Sequence, residues 1–98
     1  MAMKNPPHLG RIIKEDCLPE LKLTAGAAAK TLGVSRQTLD KIMNGRSSIT
    51  PDMAIRFEKV FGSSAETWLT MQLAYDLAQA RVREPEIVAT IRPLGHAA

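Results

Sequence analysis

Three observations predict an all-α domain, a bundle of five helices. Thr24, Ser35 and Thr50 each stand ahead of a helical run as N-caps, and Gly33, Gly45 and Gly62 stand where those runs stop. Apolar residues recur at helical spacing, as Leu39, Ile42, Met43 and again as Ala54, Phe57, Phe61, and only the short run from Ile87 to Ile91 is β-prone. Among 98 residues only Phe57, Phe61, Trp68 and Tyr75 are aromatic. The core is therefore built from Leu, Ile, Val, Met and Ala, which suits small helices crossing closely in one domain.

Met1 to Pro7 is expected as a loose arm, because Pro6 and Pro7 exclude helix. A first helix is predicted from Arg11 to Leu18, with Ile12, Ile13, Cys17 and Leu9 as its apolar side, ended or kinked by Pro19. Leu21 and Leu23, alternating with Glu20 and Lys22, anchor the connection to Thr24. The second helix, Ala25 to Leu32, is slim. Gly26 costs it ~1 kcal/mol against alanine, but its small residues let the next helix approach, and Ala28 and Leu32 face the core.

Gly33 supplies a turn that a Cβ would obstruct, and Ser35 caps a third helix, Arg36 to Asn44. After Gly45 comes a polar loop, Arg46, Ser47 and Ser48, and then Ile49 turning inward. Thr50, Pro51 and Asp52 mark the start of a helix running to Phe61: a cap, a proline at the first position and an acid in the first turn. Ser63 and Glu66 are placed as a capping box for the last helix, Ser64 to about Arg83. That helix is apolar around much of its circumference. Trp68, Leu69, Leu73, Tyr75 and Leu77 are assigned to a homodimer interface, because so much apolar surface exceeds one face of a small domain; the alternative is a broader core that takes them in. Residues 84 to 98 form a tail that pairs with a sheet edge, docks on its own domain, or stays without fixed structure, the last of these expected for its final five residues.

Two short helices joined by a Gly-containing turn make a helix-turn-helix, whose second helix lies in the DNA major groove. At about 100° per residue Leu39, Ile42 and Met43 share one third of that helix and pack inward with Val34, while Gln37, Lys41 and Asn44 lie opposite, flanked by Thr38 and Asp40, with Arg36 on the first turn. Any surface helix turns polar residues outward, so periodicity alone leaves two readings open. Charge favours DNA. The net charge is +3, and residues 30 to 46 alone carry Lys30, Arg36, Lys41 and Arg46 against the single acid Asp40. A modest charge gathered on one motif is what phosphate attraction requires.

Other classes find little support. No apolar run approaches the ~20 residues of a membrane span, and MAMKNPPHLG lacks the apolar segment of a signal peptide, so a cytoplasmic protein is expected. Cys17 has no partner for a disulfide and reads as a small core-facing hydrophobe. His8 and His96 lie in no metal or nucleophile motif, so no catalytic constellation, metal or cofactor is expected.

From Asn5 to Arg83 the chain resembles HigA-type antitoxins, the virulence-associated-protein-I branch of the Cro/C1-type (XRE) helix-turn-helix family. The residues that carry the resemblance are Asn5-Pro6-Pro7-His8 with Gly10, the segment LGVSRQTLDKIMNGRSSITPDMAIRFEKVFG from Leu32 to Gly62, and the block WLTMQLAYDLAQAR from Trp68 to Arg81. The resemblance implies a five-helix lambda-repressor-like domain over residues 1 to 83. It also implies a dimeric autorepressor of a palindromic double-stranded DNA operator that neutralises a small ribonuclease toxin. By motif position, Arg36, Gln37, Thr38 and Lys41 would read bases, and Thr24, Asn44, Arg46 and Ser47 would hold phosphates. Two-fold symmetry would set the paired recognition helices about 34 to 36 Å apart. One departure stands out: the family often has Gln where this chain has Ala25, which weakens or redirects phosphate contact there. A stand-alone repressor, or a protein-binding module with a vestigial DNA face, are the competing readings.

Overall fold

The computed structural model describes residues 6 to 95, which are all-helical where regular. Six helices follow one another. The first, α1, is continuous from Leu9 to Leu21 and comprises Leu9–Ile12, a π-helical turn Ile13–Cys17, and Leu18–Leu21. Then come α2 Ala25–Leu32, α3 Arg36–Met43, α4 Pro51–Phe61, α5 Ala65–Val82 and α6 Glu84–Ala89. The expectation of a loose arm falls largely on residues outside those described.

Three of the predicted caps form as hydrogen bonds. Thr24 Oγ1 accepts from Ala27 N–H at 3.1 Å, Ser35 Oγ from Thr38 N–H at 3.0 Å, and Thr50 Oγ1 from Met53 N–H at 3.3 Å. Gly33, at φ 75°, turns the chain between α2 and α3 in the left-handed region that side chains with a Cβ avoid.

Four local expectations need correction. The first helix begins at Leu9 rather than Arg11, because His8 caps it through Nδ1, and it passes through Pro19 instead of ending there. Proline lacks an N–H, and its ring collides with the carbonyl four residues back. The π turn opens the register just ahead of it, with Leu18 N–H reaching Ile13 O, five residues back. Leu21 ends α1 facing solvent while Leu23 packs on the core, so only Leu23 anchors the connection. The cap of α5 is Ser64, whose Oγ accepts from Thr67 N–H at 3.0 Å. Ser63 is in the left-handed region at φ 59° and is not in position to cap, and the Glu58 carboxylate takes the Ala65 N–H at 3.2 Å. Finally, the β-prone run from Ile87 lies largely in a helix: Pro85 sits in the first turn of α6, where a missing N–H costs nothing, so the chain re-enters helix after a single break at Arg83. For the last five residues the expectation falls mainly outside those described.

The core lies between α1, α2, α3, α4 and the first half of α5. Leu9, Ile13, Ala28, Leu39, Ile42, Ala54 and Phe57 are almost completely buried there. Trp68, expected at a dimer interface, belongs to this core instead. It is 3% exposed, its indole N–H donates to Gly62 O at 2.9 Å, and its ring stands 5.3 Å from Phe57 and 6.3 Å from Phe61. A large ring with one donor is satisfied where α4 and α5 join, and that leaves it no surface to offer a partner. Leu69 likewise packs partly on the core and Tyr75 is half-buried against His8, whereas Leu73 and Leu77 face outward. No helix among the described residues is long and apolar enough to cross a membrane.

Candidate nucleic-acid interface

α3 is held from behind and open in front. Behind it, Leu39 and Ile42 are buried, and α1 and α2 both pack on it. The closest approach is at Gly10, where a Cβ would land on the carbonyl oxygen of Ile42 and 2.8 Å from Met43 Cα. Gly10 thus lets the start of α1 press on the end of α3, backbone to backbone, which no periodicity argument had foreseen. His8 fixes that contact, since its Nδ1 accepts from Gly10 N–H at 2.9 Å.

In front, Arg36, Gln37, Thr38 and Lys41 are all exposed on one helix. Arg36 extends from the first turn with Nε 3.3 Å from Asp40 Oδ1, a surface pair whose modest strength a base edge can replace. Its guanidinium also lies over α2: a Cβ built on Gly26 would stand 3.6 Å from Arg36 Nη1. Gly26, costly to the helix it sits in, thus lies beside that guanidinium, with space at which a methyl would make ordinary contact. Thr38 Oγ1 accepts from the Ser35 hydroxyl at 2.9 Å, which leaves its own O–H and its methyl free to meet a base. Gln37 and Lys41 carry no side-chain hydrogen bond to the described residues.

The expected phosphate contacts surround this face. Thr24 and Asn44 are exposed at the start of α2 and the end of α3, and Arg46 is exposed in the following loop. Ser47, in the same loop, is half-buried. Ala25 is half-buried against the core, so its methyl serves packing where a Gln would reach outward. The first N–H groups of α2 have no helical partner, and Thr24 occupies that of Ala27 alone. Those remaining are donors for a phosphate.

Two residues that sequence reasoning passed over shape the site. Arg56 on α4 donates from Nη1 to Leu32 O at 2.7 Å and to Gly33 O at 3.4 Å, fastening the turn of the helix-turn-helix. Nothing in the local pattern marks it, because an exposed arginine on α4 looks like any other. Gln72 on α5 holds the loop after α3, and its only signal was its fixed place between Trp68 and Tyr75. His8 has its pKa lowered from the usual 6.5, chiefly by burial, against the opposing pull of the Asp76 charge and the Ser47 backbone. Cys17 is pushed up by burial and by the carboxylates of Asp16 and Glu20, which keeps it a protonated, unreactive thiol.

Residues 13 to 69 match the helix-turn-helix family model. The chain is 46% identical over 78 residues to virulence-associated protein A' of Dichelobacter nodosus, covering 79% of this chain and 67% of that protein. Its fold superimposes on antitoxin GraA with a TM-score of 0.84 at 33% identity, over 92% of this chain and 98% of that one. It does so on Pseudomonas aeruginosa antitoxin HigA with the higBA promoter at 0.82 and 35%, over 92% and 99%. With the whole length of those antitoxins matched, and with the helix-turn-helix at the position where α2 and α3 stand, the chain belongs to the helix-turn-helix family, in the branch of HigA-type antitoxins and virulence-associated proteins.

Proposed function

We infer that this chain is the antitoxin of a HigBA-type pair: a dimeric, sequence-specific DNA-binding autorepressor that neutralises a small ribonuclease toxin in the cytoplasm. The observation that carries the DNA reading is the outward row Arg36, Gln37, Thr38 and Lys41 on a helix whose other side is fixed in the core. Arg and Gln are the side chains that pair bidentately with guanine and adenine edges. A solved relative matched over 99% of its chain, the Pseudomonas aeruginosa HigA, is described with its higBA promoter, which supports the same role here. Leu73 and Leu77, facing outward on α5, support association of two copies, which a palindromic operator needs.

The toxin partner follows from the family and is tested genetically. The small reading frame adjacent to this gene is expressed alone and together with this chain, and growth is recorded. Arrest relieved only by co-expression is the expected result. A harmless neighbour overturns the antitoxin half and leaves a stand-alone repressor, whose DNA face would be the same.

A further inference from the structure

Among the described residues Gln72 is the only buried polar side chain, 5% exposed on a helix whose next residue, Leu73, faces solvent. Both ends of its amide are spent on the loop that leaves the recognition helix. Oε1 accepts from Ile49 N–H at 3.1 Å, and Nε2 donates to Ser48 Oγ at 3.3 Å and to Asp76 Oδ1 at 2.9 Å. The other Asp76 oxygen accepts from the Ser48 hydroxyl at 3.5 Å. His8 also lies against this loop and α5: a Cβ built on Gly45 would stand 3.7 Å from the His8 ring, which meets the Tyr75 ring edge-on at 4.8 Å.

A buried amide with every partner in place resists displacement, because moving the loop would orphan Ile49 N–H and the amide together. The loop so held begins at Gly45 and includes Arg46 and Ser47. We propose that Gln72 is a positioning residue for DNA binding: from α5 it fixes the loop 45 to 49 and so sets Arg46 at the height a phosphate requires. The proposal rests on the DNA-binding reading above. It places the control of a phosphate contact on the helix that also carries the outward-facing Leu73 and Leu77.

The test is a double-mutant cycle on the full chain, with Gln72→Met, which keeps length and loses the hydrogen bonds, and Arg46→Ala. Binding to two duplexes is measured by anisotropy from about 50 to 200 mM salt, one duplex taken from upstream of this gene and one unrelated. Thermal melting and sedimentation accompany each variant. The expected result is a folded Gln72→Met protein of unchanged oligomeric state that binds both duplexes about tenfold more weakly, with a salt slope shallower by roughly one ion. Arg46→Ala then adds little in the Gln72→Met background, because the two act as a unit. Losses that simply multiply overturn the proposal, as does parental binding by Gln72→Met. If Gln72→Met does not fold, Ser48→Ala replaces it: it removes one exposed hydroxyl of the same cluster, a smaller loss with the same non-additivity is expected, and additivity again overturns the proposal. A parent chain that binds neither duplex overturns the DNA-binding reading, and the clamp with it.

Discussion

The recognition helix and the far half of α5 both carry large apolar residues and put them to opposite uses. In α3 the apolar residues lie on one side, where α1 and α2 meet them, and Leu39 and Ile42 are fully buried. In α5 the apolar residues run round the helix. Trp68 is buried because α4 lies beside it, whereas Leu73 is 65% exposed and Val82 78% exposed. The difference is one of neighbours, since an apolar side chain is core only where another element reaches it. An uncovered stripe that continues through Ile87, Val88 and Ile91 on and after α6 is surface of the kind a partner covers.

The sharpest way to break that contrast is to truncate one residue from each half. Trp68→Ala removes a ring packed on Phe57 and Phe61 and should destabilise folding by about 3 to 5 kcal/mol in urea unfolding. Leu73→Ala should stay within about 0.5 kcal/mol in dilute, monomeric protein. Its effect should appear in sedimentation, as a weaker dimer. Equal folding losses for the two variants, or an unchanged dimer in Leu73→Ala, would erase the distinction.

Gly10→Ala probes the other region from behind. The added methyl meets backbone of Ile42 and Met43, atoms that cannot swing aside as a flexible side chain would. About 1 to 3 kcal/mol of stability should be lost by overpacking, and DNA binding should fall as well if α3 is displaced by the clash. A variant that keeps full stability would show that α1 yields instead.

On the front of α3, Arg36→Ala should cost about 1 to 3 kcal/mol at the operator and relax specificity at one base position, with folding intact. Arg46→Ala should weaken specific and non-specific duplexes alike and flatten the salt slope by roughly one ion. Quantitative binding to a panel of single-base operator variants separates these outcomes. Identical profiles for the two variants would mean that the base-reading face is misplaced.

These two regions also differ in how far they were legible from sequence. The caps Thr24, Ser35 and Thr50 and the inward row of α3 follow from local rules, because a cap is bonded within its own turn and a helix face is set by its own period. What escaped was contact between distant segments. Gly10 against Ile42, Arg56 on the Leu32 carbonyl and Gln72 on Ile49 each join residues more than twenty apart, and the residue type alone does not say where the chain will return. Trp68 was misassigned for the same reason: its helix looked over-supplied with apolar residues, and α4 was not yet there to use it. The π turn that carries α1 through Pro19 was likewise hidden, since a proline signals a break far more often than a shifted register.

The smallest expected effect concerns His8, which joins both regions by touching the loop after α3 and Tyr75 on α5. Its neutral Nδ1 is the acceptor for Gly10 N–H, so a proton there removes the cap of α1. Burial lowers its pKa below the usual 6.5, and the Asp76 charge and the Ser47 backbone offset that only in part. In the unfolded chain the imidazole takes its proton near pH 6.5, and in the folded chain only at lower pH. The unfolded state therefore binds more protons in between, and the contribution of His8 is complete above about pH 6.5 and is lost as pH falls from there through the folded-state value. His8→Asn keeps a short side chain with an acceptor for the cap and removes the titration. The expected outcome is a melting temperature that falls less for His8→Asn than for the parent between about pH 7.5 and pH 5. Parallel losses would assign the acid sensitivity to other groups and leave His8 as a cap only, so that the junction between the loop after α3 and α5 would be held by packing and hydrogen bonds that His8 does not titrate.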